Sequence, residues 1–195
     1  MAWTDPLTLR GTLATLEPLT SAHAPGLAEA VRDGEMWKLW YTSVPSPEGM
    51  AAEIERRTAL AAAGEMLPFA VVERATGRCV GMTNYWGVDP VNRRLEVGGT
   101  WYARRVQRSG LNTECKLMLL THAFETLSCI AVELRTSTFN RASRRAIERL
   151  GAKLDGILRC HRLHDNGTLR DTCVYSIIAS EWPTVRAHLE FQLGR

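Results

Sequence analysis

The sequence contains no Cys-x-x-Cys pair, and its five cysteines (Cys79, Cys115, Cys129, Cys160 and Cys173) are odd in number and far apart. That spacing excludes a disulfide framework or a zinc knuckle and points to a reduced, cytoplasmic protein. No run of roughly 18 or more apolar residues occurs, and the opening Met1-Ala2-Trp3-Thr4-Asp5-Pro6 lacks a basic region followed by an apolar one, so neither a membrane span nor export is expected. Excess charge of one sign is also missing. With 24 Lys and Arg against 21 Asp and Glu the net charge is +3, short of the concentrated basic face of a dedicated nucleic-acid binder. Local arginine clusters must therefore carry any binding of anions. No internal repeat, low-complexity run or linker interrupts the chain. What remains is 195 residues with an ordinary 45% hydrophobic share, enough for a proper core and read as one domain over 1–195.

Residue patterns outline the elements in order. Leu7-Thr8-Leu9 and Thr12-Leu13-Ala14-Thr15-Leu16 alternate apolar with polar until Glu17-Pro18, which predicts a first strand. Thr20 is the expected N-cap of a helix through Leu27, Ala30 and Val31 that must bend or restart at Pro25, since proline removes an internal hydrogen bond. The stretch 36–47, with Trp37, Trp40 and Tyr41, suits either a core lid or a substrate wall. Ser46-Pro47-Glu48 predicts a helix start, and Gly64 its stop. Segments 69–72 and 79–82 flank Thr76-Gly77 as a hairpin, and a third strand over 94–102 follows Asp89-Pro90. Its Gly98-Gly99 pair marks a bulge or a close backbone approach. Next come a helix over 113–127, with Leu117, Leu120, Phe124 and Leu127 on one face, a strand over 131–138, and a helix over 141–150 led by Asn140 and closed by Gly151. Strands over 156–163 and 171–179, joined at Asp165-Asn166-Gly167, precede a last helix from Glu181 with Pro183 in its first turn. The expected architecture is mixed α/β (α+β), with a mostly antiparallel central sheet of about seven strands flanked by helices.

The rest is organised around 95–112, which reads Leu-Glu-Val-Gly-Gly-Thr-Trp-Tyr-Ala-Arg-Arg-Val-Gln-Arg-Ser-Gly-Leu-Asn. An apolar strand leads through a loop carrying Arg104, Arg105 and Arg108, and past Gly110 into a long helix. Such a turn can aim successive N–H groups at one point, and the helix adds unpaired donors and the positive end of its dipole. An anion site follows. From the turn alone, a plain loop with solvated arginines explains the residues equally well.

The order of elements, together with Leu-Glu-Val-Gly at 95–98, Gln107-Arg108-Ser109-Gly110-Leu111-Asn112-Thr113-Glu114, Ala123-Phe124-Glu125 and Asn140-Arg141-Ala142-Ser143-Arg144-Arg145, resembles the GNAT superfamily of acyl-CoA-dependent N-acyltransferases. Within it, the chain is most similar to the RimJ/RimL-type branch of ribosomal-protein N-terminal acetyltransferases. Arg149-Leu150-Gly151-Ala152, Asp155-Gly156-Ile157-Leu158-Arg159, Leu169-Arg170-Asp171, Tyr175-Ser176 and Glu181-Trp182-Pro183 extend the resemblance over nearly the whole chain. It implies a GNAT fold whose sheet is splayed at the cofactor site, acetyl-CoA as co-substrate and no metal. It further implies acetyl transfer to a primary amine, a protein or peptide N-terminus or a small-molecule amine, by direct attack in a ternary complex. A homodimer is plausible for the family, no membrane partner is implied, and nucleic acid enters only indirectly through the ribosome. The family's pyrophosphate motif, Gln/Arg-x-x-Gly-x-Gly/Ala, is matched at Gln107 and Gly110, while Asn112 stands where a small residue is expected. Asparagine keeps the backbone N–H that meets phosphate. The resemblance thus assigns the cofactor to the bulged strand at Trp101, Tyr102 and Ala103, to Arg104, Gln107, Arg108, Ser109, Gly110, Leu111, Asn112 and Thr113, and to Asn140, Ser143 and Arg144.

The chemistry sets further demands. An amine must be neutral to attack a thioester, yet it is mostly protonated at neutral pH, so a base is needed. Glu96, on the bulged strand, is the candidate, acting through water; the structural alternative is an ion pair with an arginine across the sheet. A main-chain N–H of the splayed strand is the candidate oxyanion donor. Many GNAT enzymes protonate the leaving thiolate from a tyrosine on the helix after Asn140, but the matching residue here is Ile147, which leaves Ser143 and, behind it, Tyr175. Cys173 has no histidine beside it and reads as a buried thiol rather than an acyl carrier. His161 and His164 should point to opposite faces of their strand, against a metal site. Arg141, Arg144, Arg145 and Arg149 form a helical stripe, either solvated or facing an adenosine phosphate or RNA. The missing tyrosine and this stripe sustain a second expectation, a catalytically silent acyl-CoA-binding or RNA-associated module.

Overall fold

In the computed structural model, which describes residues 3–194, the chain runs β1 (Leu9–Arg10), β2 (Ala14–Pro18), α1 (Ala24–Arg32), α2 (Met50–Ala62), β3 (Met66–Glu73), β4 (Cys79–Asp89), β5 (Arg94–Tyr102), α3 (Leu111–Thr121), β6 (Ala131–Ser137), α4 (Arg141–Arg149), β7 (Lys153–Leu163), β8 (Leu169–Ile178) and α5 (Trp182–Gln192). Met1, Ala2 and Arg195, the ends of the 1–195 reading, lie outside the described residues. The strands form one sheet in the order β1-β2-β3-β4-β5-β6-β8-β7, antiparallel throughout except for β5 beside β6. There are eight strands rather than seven, because the alternating stretch expected as one strand turns back on itself, with Gly11 N–H donating to the Ala14 carbonyl at 2.9 Å. The turn is held from a distance. The buried Glu114 carboxylate, one turn into α3, accepts the N–H groups of Thr12, Leu13 and Ala14 at 2.8, 2.6 and 2.9 Å.

Local chemistry accounts for the helix boundaries. Thr20 caps a short 3-10 turn, Ser21–His23, whose histidine ring reaches back to the Thr20 N–H. The α-helix then restarts at Ala24 with Pro25 in its first turn, where a missing N–H is harmless. Helix α2 starts at Met50, a turn later than expected, since the Ser46 hydroxyl accepts the Gly49 N–H at 3.1 Å and closes a turn instead of capping the helix. The expected helix over 113–127 begins earlier, at Leu111, and passes at His122–Thr126 into a π-helical turn. Helices α1 and α2 pack on β4 and β3, α3 on β1, β2 and α5, and α4 on β6. Phe69, Tyr85, Leu119 and Leu120 are fully buried between these layers, each contributing about 1.5–3 kcal/mol by leaving water.

The feature that makes a site is the joint between β5 and β6. These strands pair at only three positions, Arg94 with Ala131, Leu95 with Val132 and Glu96 with Glu133, and then part. On the opposite edge of β5 the register with β4 shifts between Met82 and Asn84. The expected glycine bulge sits there. Gly99 takes φ +57°, and a Cβ on it would lie 2.8 Å from Asn84 Oδ1, so only glycine fits.

Candidate active site

A cleft of about 1930 Å³ opens where β5 and β6 separate, well above the ~300–1,000 Å³ of an ordinary ligand pocket and large enough for two reactants. One part of its wall comes from the basic turn and two helices: Gln107, Arg108, Ser109 and Asn112, facing Asn140, Ser143, Arg145, Ile147 and Arg149. The turn is firmly built. Gln107 donates to the Tyr102 carbonyl at 2.9 Å, Arg108 takes φ +60°, and the Ser109 hydroxyl donates to the Val106 carbonyl at 2.7 Å while accepting the Leu111 N–H at 3.3 Å. The Gly110 carbonyl accepts the Glu114 N–H at 2.9 Å. The N–H groups of Asn112 and Thr113, between these, meet no acceptor among the described residues. The free Asn112 N–H, the helix dipole and three arginines make this end of the cleft suited to an anion. Asn112 itself lines this end of the cleft.

Not every residue assigned from sequence reaches the cleft. Ala103 and Leu111 are buried in the core, and Gly110 packs against Leu13 and Leu193. Thr113 uses its hydroxyl to accept from Arg149 at 3.0 Å. Arg104 packs against Gly34 at the outside of the turn. Arg144 points to the other face of β8, donating to the Tyr175 hydroxyl at 3.0 Å, and it is Arg145 and Arg149 that line the cleft. Helical phase decides this, because one residue along α4 rotates a side chain by about 100°. Tyr175 is equally withdrawn, its hydroxyl donating to Glu148 at 2.7 Å, and Cys173 is buried on the same side of β8. Asn140 and Ser143 do line the cleft, with the Asn140 side chain also accepting the Ser143 N–H at 3.0 Å as the cap of α4. Trp101 and Tyr102 line it from β5.

The remaining wall comes from the sheet and the aromatic stretch: Glu96, Glu133, Arg135, His161, Arg162, Arg170, Trp86 and Tyr41. Glu96 and Glu133 face each other at the last rung of the joint. Arg135 serves both, unequally: it lies 3.6 Å from Glu96 but donates to Glu133 at 2.6 and 3.0 Å, and Glu133 also receives Arg94 at 2.5 Å. The cross-sheet arginine pair is therefore present but loose. Burial pushes the Glu96 carboxyl above its ordinary value, outweighing the pull of Arg135. Beneath the bulge, two buried cations escaped the sequence reading. Arg57 of α2 donates to Asn84 and, at 2.7 Å, to Glu53; Lys116 of α3 donates to Thr100 at 2.7 Å, and burial pushes its amine down to about 8. His161 meets Thr172 at 3.1 Å, while His164 packs 5.1 Å from the Trp40 ring, so the two histidines stand apart. No cluster of three metal-ligating side chains occurs among the described residues, nor any helix long and apolar enough to cross a membrane.

Comparison with known proteins agrees with this geometry. YdaF of Bacillus subtilis (strain 168), a protein provisionally named as a ribosomal N-acetyltransferase, is 34% identical over 106 residues, which is 54% of this chain and 57% of YdaF. YoaA of the same organism, an N-acetyltransferase without further characterisation, is 28% identical over 55% of this chain and 60% of its own length. The chain thus matches less than two thirds of these curated relatives. A T. thermophilus structure provisionally described as an acetyltransferase matches more completely, with 33% identity, 98% of this chain and 99% of that one covered, and a TM-score of 0.84. Mycobacterium smegmatis RimJ, solved in complex with CoA-disulfide, shares the fold at 22% identity, with 100% and 97% coverage and a TM-score of 0.80. The family model for the acetyltransferase (GNAT) domain matches residues 14–153, and with the opened β5–β6 joint and its basic turn in place, this chain belongs to the GNAT acetyltransferase family.

Proposed function

We propose that the protein, as one domain over 1–195, transfers an acetyl group from acetyl-CoA to a primary amine in a ternary complex. The observation that carries this is the β5–β6 joint, with Glu96 at its last rung and the basic turn at its mouth. Bound acetyl-CoA supplies an acetyl group activated as a thioester. The free N–H of Asn112, with Arg108, Arg145 and Arg149, holds its pyrophosphate. The edge of β5 beyond Glu96, unpaired by β6, offers main-chain groups to the pantetheine arm. Glu96, its proton affinity raised by burial, takes the proton that the amine must lose, directly or through water. A main-chain N–H of the same edge stabilises negative charge on the carbonyl oxygen. Ser143, which lines the cleft with Ile147, relays to the departing thiolate the proton that the nitrogen sheds as the tetrahedral adduct collapses. YdaF's provisional name favours a protein N-terminus as acceptor, as in the RimJ/RimL-type branch.

Thermal melting with acetyl-CoA, and with NAD and ATP as controls, tests the first half. Acetyl-CoA at a hundredfold over its Kd should stabilise by about 2.7 kcal/mol and raise Tm by roughly 5–11 °C. Amine-dependent release of CoA tests the second. A Tm shift without release from any peptide or small amine would leave a silent acyl-CoA-binding module instead.

A further inference from the structure

Among the cleft's cations without a use in the reaction described so far, two stand together without a partner among the described residues. Arg162 of β7 and Arg170 of β8 stand directly opposite each other in their ladder and both line the cleft. Like charges at directly opposed positions repel, and a fold normally answers with a carboxylate. Here neither arginine makes a salt bridge or a side-chain hydrogen bond among the described residues, and the Nε of Arg170 is buried with no partner. The other charged groups of this wall are already engaged. Glu133 is taken by Arg94 and Arg135, and Arg135 reaches on to Glu96. Glu96 is close enough to feel both Arg162 and Arg170 but contacts neither. Moving along the wall, the order is thus a carboxylate suited to an amine, then a pair of guanidinium groups wanting an anion.

We infer that the acceptor carries a carboxylate close to the amine that is acetylated, its amine set against Glu96 and its carboxylate received by Arg162 and Arg170. The same pair disfavours polyamines and N-termini followed by basic residues, since these would bring a second cation to an uncompensated one. The inference rests on the acetyltransferase reading. Two sources present the required chemistry: the side chain of an acidic N-terminal residue in a peptide, and the α-carboxylate of a free amino acid.

Three acceptors separate them: a tetrapeptide amide beginning with Asp, the same peptide beginning with Asn, and free asparagine. Each is measured by kcat/KM for CoA release and, independently of turnover, by quenching of tryptophan fluorescence in a titration with CoA present. The Asp peptide or free asparagine should exceed the Asn peptide by about tenfold in both measurements, as a charge-assisted contact with guanidinium warrants. The first outcome assigns an acidic peptide, the second a free amino acid. Arg162→Gln and Arg170→Gln should each shrink that ratio, Arg170→Lys should restore part of it, and 0.5 M salt should compress it by roughly twofold or more. The acetyl-CoA-induced rise in Tm shows that each variant is folded. Equal use of all three acceptors, or a ratio that survives both arginine replacements together, overturns the inference. Binding preference without CoA release would retain it and sink the acetyltransferase reading; release without preference would do the reverse.

Discussion

Replacing Glu114 should be among the most damaging single changes in this chain, although the residue has no place in the chemistry. Its carboxylate is fully buried and accepts three consecutive backbone N–H groups of the β1–β2 turn, at 2.8, 2.6 and 2.9 Å. In Glu114→Ala these donors lose a charged acceptor, each such bond being worth about 1.5–3 kcal/mol. Thr12 and Leu13 are exposed enough for water to replace part of the loss, but Ala14 is completely buried. The net cost is about 4 kcal/mol, which for a chain of this length lowers Tm by roughly 8–16 °C. Glu114→Gln should cost less than Glu114→Ala, since its amide oxygen can keep the Leu13 and Ala14 N–H groups that share Oε2 while its nitrogen turns a donor only toward the exposed Thr12 N–H. Circular dichroism melts at pH 7 measure both. A fall of under about 3 °C for Glu114→Ala would refute the claim that this carboxylate holds the turn.

Three further expectations follow from the cleft. Glu96→Gln should lower kcat by about 10²-fold or more while preserving the acetyl-CoA-induced rise in Tm; because the Glu96 carboxyl is raised by burial and acts deprotonated, wild-type kcat should fall with decreasing pH above the ordinary carboxylate range, and the variant should lose that limb. Lys116, lowered from 10.5 to about 8, is protonated at a cost that the fold bears fully below pH 8. Between 8 and 10.5 the unfolded chain binds the extra proton, so this cost fades and stability rises with pH. Lys116→Met should accordingly gain roughly 1–3 kcal/mol at pH 7, with the advantage narrowing as melts are taken toward pH 10. Arg145→Ala should weaken acetyl-CoA about tenfold by calorimetric titration and Arg144→Ala hardly at all, because only the former lines the cleft; equal losses would put the phosphates elsewhere.

Local signals carried the reading far. Gly98-Gly99 announced a bulge because only a bulge or a close approach tolerates paired glycines in a strand, and Gly99 is the left-handed residue of that bulge. The basic turn was legible for the same reason, as a short contiguous motif. What stayed hidden depends on phase or distance. Whether Arg144 or Arg145 meets the cleft turns on the rotation of α4, which neighbouring arginines leave undetermined. The division of the first strand into β1 and β2 depends on Gly11 and on a carboxylate about a hundred residues away. Arg162 and Arg170 become a pair only once the β7–β8 register is known, and that register shifts between Leu158 and Arg162.

The three-rung joint between β5 and β6 also has a meaning for how the molecule comes together. On one side of it, β1 to β5 are joined in sequence as antiparallel neighbours; on the other, β6 and β7 flank β8. Within the blocks, the hairpins β3–β4, β4–β5 and β7–β8 close by short loops, whereas the parallel seam between the blocks needs α3 as a crossover and offers only three pairs in return. Block closure should precede seam closure during refolding, so that amides of β3 and β4 gain protection from pulsed hydrogen exchange before those of Leu95 and Glu96. The gap beside the three-pair seam is then the place where knitting two blocks into one sheet was left unfinished, and the seam itself should close after the hairpins on either side of it.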